Sequence, residues 1–169
     1  YNYTEEYAYP FLFLKDINND GLDEIHYSPG GTSYVSYYIF NPDGTNFHSL
    51  SPFVQTLNSY LPADLNGDSL CEIYCTQGSD IVELDQTGDT VSIYHVQGSS
   101  VWRPSPMSAA DIDGDHKSEL IVSGRFGYSM QDYSNYLIYA FDEGLTLKTG
   151  WPHDTGIGGY YVLRPPVFG

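Results

Sequence analysis

The sequence predicts an all-β fold in which consecutive blades of four antiparallel strands form part of a β-propeller. An acidic motif recurs at Asp16, Asp64 and Asp111, so its copies start 48 and then 47 residues apart. That period is the length of one four-stranded propeller blade. The 169 residues also include 17 Gly, 10 Pro and 17 Tyr, which is typical of short strands joined by tight turns.

The strands are predicted from alternating apolar residues and from the turn residues that bound them. They are 9–15, 24–28, 33–40, 46–50, 59–63, 72–76, 80–84, 90–96, 106–110, 119–123, 135–141 and 145–149. We group them into blade units at about 9–50, 58–97 and 105–150, within a single segment that spans 1–169. No stretch combines helical periodicity with capping residues, so no long helix is predicted.

The last stretch, 160–169, resembles a strand that enters another blade. Three blades and the first strand of a fourth do not close a ring, because closed propellers typically have about four to eight blades. The sequence therefore predicts an incomplete ring. The missing blades belong either to a longer protein or to further copies of the same chain.

Each acidic motif places side-chain oxygens at positions 1, 3, 5 and 9 and a main-chain carbonyl at position 7. The predicted ligands are Asp16, Asn18, Asp20, Leu22 and Glu24 in the first loop, Asp64, Asn66, Asp68, Leu70 and Glu72 in the second, and Asp111, Asp113, Asp115, Lys117 and Glu119 in the third. Hard oxygen donors suit Ca²⁺ better than Mg²⁺, which needs a stricter octahedron. No His or Cys stands at a ligand position, which disfavours zinc and copper. The sequence predicts three calcium ions.

The charge of the chain agrees with cation binding. Its formal net charge is −16, from 22 acidic and 6 basic residues, and ten of the acidic residues stand at the predicted ligand positions. So few cationic side chains exclude nucleic acid as a partner, because phosphate binding needs Lys and Arg. No run of apolar residues is long enough to span a membrane.

The three loops are expected to differ in affinity. The third has four carboxylates at ligand positions against three in each of the others, so we expect it to bind calcium most tightly. The second has Ser69 at position 6, where the turn favours a left-handed backbone and the first loop has Gly21. We expect the second loop to bind most weakly, while His116 in the third tolerates that conformation better.

An EF-hand begins with a similar pattern but needs a bidentate carboxylate at position 12. Position 12 is Tyr27, Cys75 and Val122 in the three copies, and none can ligate. The motif D-x-[DN]-x-D-x-x-x-E followed by an apolar strand resembles instead the FG-GAP/VCBS repeats of integrin-α-type β-propellers. That resemblance implies a loop that joins the first and second strands of a blade and binds Ca²⁺ through these positions.

The two cysteines, Cys71 and Cys75, are four residues apart. In an extended strand their Cα atoms would be about 13 Å apart, whereas a disulfide requires less than about 7 Å. We predict that they are not bonded to each other.

The predicted metal ions are structural, because each lies at a turn with no nucleophile or base beside it. The resemblance implies a secreted or surface module for binding, adhesion or scaffolding, with a protein or glycan ligand. Millimolar calcium outside cells and the glycosylation acceptor pattern Asn2-Tyr3-Thr4 favour an extracellular location.

Two alternatives remain open at the level of sequence. The open edges of an incomplete ring favour self-assembly into a ring or filament. A carbohydrate-binding or polysaccharide-processing domain is the other, with tyrosines that stack on sugars or pack the blades. These are Tyr34, Tyr37, Tyr38, Tyr128, Tyr133 and Tyr136. The five histidines show no catalytic spacing, so the sequence favours a protein that is not an enzyme.

Overall fold

The computed structural model describes residues 11–29, 37–49, 57–77, 80–96, 101–104, 107–127 and 136–156. Within these ranges the fold is all-β, with three antiparallel sheets and one 3₁₀ turn at Glu143–Leu145. The all-β prediction is confirmed, and each predicted strand inside the described ranges has a counterpart. The predicted strand at 160–169 and the acceptor pattern at Asn2 lie outside the described residues.

The first and second sheets are simple meanders in which each strand pairs with the next along the chain. The first sheet consists of β1 (Phe11–Lys15), β2 (Glu24–Ser28), β3 (Tyr38–Phe40) and β4 (Asn46–Ser49). The second consists of β5 (Leu57–Ala63), β6 (Glu72–Gln77), β7 (Asp80–Leu84) and β8 (Thr90–His95).

The third sheet repeats this order, but both of its outer strands are interrupted. It contains β9 (Val101–Pro104), β10 (Ser108–Ala110), β11 (Glu119–Gly127), β12 (Tyr136–Asp142), β13 (Thr146–Leu147) and β14 (His153–Asp154). The start of β11 pairs with β10 and its end with β9, while β12 pairs with both β13 and β14. The sequence did not predict β9 or β14, because two to four residues are too few for a recognisable alternation.

The three sheets pack in series, and the second sheet lies between the other two. Side chains alternate across a strand, so β6 and β7 supply residues to both faces. The first interface contains Ile17, Tyr37, Ile39, Cys71, Ile73, Cys75, Val82 and Leu84. The second interface contains Ala63, Leu65, Tyr74, Ile81, Val96, Met107, Leu120, Val122, Tyr139, Phe141 and Leu145. In the described part of the chain, no helix is long and apolar enough to cross a membrane.

Candidate metal sites

Each acidic motif forms the loop between the first two main strands of its sheet, at β1–β2, β5–β6 and β10–β11. All three loops have a left-handed backbone at positions 4 and 6. The φ angles are 58° at Asn19 and 88° at Gly21, 82° at Gly67 and 72° at Ser69, and 86° at Gly114 and 72° at His116. The expected left-handed turn at position 6 is confirmed, and the three sequences adopt one loop conformation. The strand exits also agree with the exclusion of an EF-hand.

Main-chain hydrogen bonds hold this conformation in the same way three times. The Asp at position 1 accepts from the N–H of position 6, at 2.9 Å from Gly21, 2.9 Å from Ser69 and 3.0 Å from His116. The Asp at position 5 accepts from the N–H of position 7, at 2.8 Å from each of Leu22, Leu70 and Lys117. These bonds hold the side chains at positions 1 and 5 against the main chain of the loop.

The Glu at position 9 begins the outgoing strand and ties it to the start of the loop. Glu24 and Glu119 are fully buried, and each accepts a hydrogen bond from the N–H of position 2, at 2.9 Å from Ile17 and 2.8 Å from Ile112. Glu72 is half-buried, and this burial raises the pKa of its carboxyl group. The carboxylates of Glu24 and Glu119 are therefore held against the start of the loop, where they are available as ligands.

In the first and second loops, the Asn at position 3 links positions 5 and 9. The Nδ2 of Asn18 donates to Asp20 at 3.2 Å and to Glu24 at 3.3 Å. The Nδ2 of Asn66 donates to Asp68 at 3.2 Å and to Glu72 at 3.0 Å. The side chains at positions 3, 5 and 9 therefore converge in both loops.

The third loop has Asp113 at position 3, and a lysine replaces the amide donor. Lys148, which directly follows β13, places its Nζ 2.8 Å from Asp113, 3.1 Å from Glu119 and 2.7 Å from Asp142. Asp113, and then Asp142, raises the pKa of Lys148, while Lys148 lowers the pKa of Asp113. Lys148 is not among the residues predicted from the sequence, because it lies 29 residues after Glu119 and outside the acidic motif.

The structure also brings together the three aspartates of the third loop. One carboxylate oxygen from each of Asp111, Asp113 and Asp115 lies within 4.8 Å of the others, a spacing at which one metal ion can be held. These side chains are exposed, so solvent screens their repulsion.

A cavity of about 380 Å³ lies beside the second loop. Its lining includes Asn66 and Glu72 from the loop, Glu83 and Asp85 from the end of β7, and Val91 from β8. Glu83 is only 6% exposed, and burial followed by the nearby charge of Glu143 raises the pKa of its carboxyl group. The lining of the cavity includes four acidic residues, which are Asp68, Glu72, Glu83 and Asp85.

Other residues singled out in the sequence belong to the core. Tyr37 is buried and stacks on Tyr60 with ring centroids 4.8 Å apart, and Tyr136 is also buried. Neither ring is available to a sugar, whereas Tyr34, Tyr128 and Tyr133 lie outside the described residues. Both cysteines are free and buried, so the prediction that they do not bond to each other is confirmed.

The donor chemistry of the first and second loops fits a hard divalent cation. Their converging side chains offer carboxylate and amide oxygens, and among the described residues no Lys or Arg forms an ion pair with them. The third loop has more carboxylates but already holds an ammonium group on two of its ligand positions. The three loops thus share one backbone conformation and differ in whether a lysine already neutralises their carboxylates.

No protein-family model matches the chain, and no curated protein matches it. Among solved structures, the chain is similar to part of the V. cholerae biofilm matrix protein Bap1, with a TM-score of 0.55 and 23% sequence identity. The match covers 85% of this chain and 20% of the Bap1 chain, so the present chain spans about one fifth of that protein. At this identity the similarity concerns the fold: the chain shares an all-β arrangement with a segment of a biofilm matrix protein.

Proposed function

We propose that this chain is a calcium-stabilised segment of an FG-GAP/VCBS-type β-propeller that serves extracellular binding, adhesion or scaffolding. The observation that carries the proposal is the threefold recurrence of one acidic loop between the first two main strands of a sheet. In this proposal calcium is structural: it ties each pair of strands at a corner, and its ligands are the side chains at positions 1, 3, 5 and 9 with the carbonyl at position 7.

The serial packing of the sheets supports the propeller. In a propeller each blade contacts the blade before it and the blade after it, and a middle blade is buried on both faces. The second sheet has this pattern, because Ile73 contributes to the first interface and Tyr74 to the second.

The first sheet also has the face expected of a blade with a missing neighbour. Strand register places one set of apolar side chains on its outer face, opposite the first interface. The set consists of Leu12, Leu14, Ile25, Tyr27, Tyr38 and Phe40. Leu12 is 66% exposed and Leu14 57%. Exposed apolar side chains that lie together on one face of a sheet are typical of a contact surface. In the proposed ring, a further sheet covers this face.

The extracellular role is supported by the fold and by the metal. The chain is similar in fold to a segment of a biofilm matrix protein. Loops that combine several carboxylates, with one or more exposed in each loop, also suit the high calcium concentration outside cells. Adhesion and scaffolding need a rigid surface, and calcium-tied corners would provide rigidity without catalytic residues.

Thermal unfolding with and without calcium tests the proposal. Calcium at about 100 times its dissociation constant stabilises by about 2.7 kcal/mol per site. We therefore expect Tm to rise by at least about 5 °C in excess calcium relative to EGTA. Asp64→Asn should reduce this rise, whereas Asp43→Asn, which changes an exposed acid in the β3–β4 turn, should not. An identical Tm in calcium and EGTA would exclude calcium as a structural ion.

The outer face of the first sheet favours self-assembly as a second candidate function. Two copies that cover this face on each other would bury its apolar residues. Light scattering should then show oligomers whose fraction falls in Leu14→Glu but not in Ile93→Glu, a similarly exposed residue on β8. A monomer at all concentrations would argue against self-assembly, and binding on a glycan array would favour the carbohydrate alternative.

A further inference from the structure

The residues that hold Lys148 have counterparts in the second sheet. Ile73 pairs with Leu84 in the second sheet, and Leu120 at the same loop position pairs with Phe141 in the third. Asp85 therefore corresponds to Asp142, because each directly follows the paired residue. The three partners of Lys148, which are Asp113, Glu119 and Asp142, correspond to Asn66, Glu72 and Asp85. All three counterparts line the cavity beside the second loop.

The position of Lys148 also has a counterpart. Leu84 pairs with Thr90 and Phe141 pairs with Leu147, so Val91 and Lys148 each follow the paired residue. Val91 lines the cavity of the second sheet, and its short side chain leaves the space open. In the third sheet, the four-carbon chain of Lys148 reaches the corresponding group of oxygens. One sheet thus supplies its own cation at a place where the other has a cavity.

The ammonium group and a calcium ion compete for the same oxygens. Calcium binds oxygen at about 2.3–2.6 Å, so an ion on the same Asp113 or Glu119 oxygen that Lys148 contacts would lie within about 6 Å of the Lys148 Nζ. The remaining oxygens are also engaged. Asp113 Oδ1 accepts from the N–H of Asp115 at 3.1 Å, and Glu119 Oε2 accepts from Ile112 at 2.8 Å. Charge-assisted hydrogen bonds are roughly twice as strong as neutral ones, so Lys148 is harder to displace than the Asn18 or Asn66 amide.

We propose that Lys148 is a tethered cation that takes the place of calcium in the third loop, so that the chain binds two calcium ions rather than three. This inference rests on the proposed calcium binding of the first two loops. It reverses the ranking expected from carboxylate number, in which the third loop binds most tightly and the second most weakly. The third loop becomes the corner that stays folded without metal, while the second takes its cation from solution.

Matched substitutions at position 1 test the inference without changing Lys148. Isothermal titration calorimetry should give two calcium ions per chain for the unmodified protein, one for Asp64→Asn and two for Asp111→Asn. Three ions in the unmodified protein, or loss of one ion in Asp111→Asn, would overturn the inference and leave the proposed function intact. No bound calcium at all would instead overturn the proposed function.

A reciprocal exchange of the lysine gives an independent test. Lys148→Met removes the ammonium group with little change in length and should raise the number of ions to three, whereas Lys148→Arg should keep it at two. Val91→Lys should fill the second site and lower the number to one, whereas Val91→Met should keep it at two. Circular dichroism in excess calcium confirms folding. If Lys148→Met does not fold, Val91→Lys decides: two ions in that variant contradict a tethered cation.

Discussion

The two interfaces between the sheets differ in the chemical character of their buried side chains. The first interface buries polar groups among its apolar residues: His26 is 1% exposed, its ring stacks on Phe13 at 4.7 Å, and its Nδ1 lies 2.8 Å from the Tyr60 hydroxyl. The second interface is apolar and aromatic, with Phe141 fully buried and its ring 4.8 Å from that of Tyr94.

The hydrogen bonds that link neighbouring sheets also differ between the two interfaces. The second loop is tied to the first, because Cys71 donates its N–H to the carbonyl of Ile17 at 3.0 Å and the Gln86 amide donates to the same oxygen at 3.2 Å. Across the second interface, the Ser92 hydroxyl donates to the carbonyl of Gly144 at 3.0 Å. Because the first interface contains His26, protonation can weaken it. The second interface is weakened mainly by the loss of buried apolar volume.

The largest effect should come from a cavity in the second interface. Phe141→Ala removes a buried ring that also stacks on Tyr139 at 5.9 Å, and it should cost about 3–5 kcal/mol in urea unfolding. The penalty should be equal at pH 7 and pH 5, because no residue of that cluster titrates between them. A penalty below about 1 kcal/mol would mean that packing around Phe141 contributes little to the stability of the second interface.

The next effect concerns the first interface and pH. Burial lowers the pKa of His26 from 6.5 to about 4, against a smaller opposing effect of the Lys15 main chain. The folded state thus favours the neutral ring. Its contribution is fully present above pH 6.5 and is lost as the pH falls toward 4. Between pH 7 and pH 5 we expect His26 alone to lower the free energy of unfolding by about 2 kcal/mol, measured by urea unfolding in EGTA so that no metal is released.

The matched variants for this prediction are His26→Gln and His153→Gln. The first keeps a neutral polar group that can reach Tyr60 and should remove most of the loss between pH 7 and pH 5. The second changes an exposed histidine in the third sheet and should leave the loss as it is. Equal pH dependence in His26→Gln and the unmodified protein would show that the first interface does not sense protonation.

The sequence predicted the local features of this fold well. The strands beside each loop, the turn at position 6 and the separation of the cysteines follow from short-range rules, since alternation and turn chemistry involve neighbouring residues. The interruption of the outer strands in the third sheet was not predicted. It depends on the pairing of the nine-residue β11 with two separate segments, which is a long-range choice.

The residues of the candidate metal sites also fall into two groups, those that local spacing predicts and one that depends on long-range pairing. The acidic residues could be placed from spacing, because one loop contains them all. Lys148 could not, since its contact with Glu119 depends on the register of β12 and β13. One signal was nevertheless available: aligning the three units at their β-turns places Lys148 level with Val91, and a single lysine in that register marks the third unit as different.

The smallest predicted effect tests whether loop strain acts on the interface. Ser69 and His116 both hold φ at 72°, but only the second loop is followed by the Cys71 bond to the first loop. A left-handed backbone costs a residue other than glycine about 1–2 kcal/mol. Substitution by glycine removes this strain, but the greater entropy of glycine in the unfolded chain offsets part of the stabilisation. Ser69→Gly and His116→Gly should therefore each stabilise the protein by about 0.5–1 kcal/mol in urea unfolding in EGTA.

Ser69→Ala provides the control, because it removes the hydroxyl and keeps the strained backbone, so it should leave stability nearly unchanged. Gly67→Ala should act in the opposite direction and cost about 1–2 kcal/mol. Its added Cβ would meet no atom within 4 Å, so the cost is that of the backbone at φ 82° alone. If His116→Gly stabilises the protein and Ser69→Gly does not, the backbone at φ 72° carries no strain at Ser69 that glycine can relieve, and the prediction for the second loop is wrong.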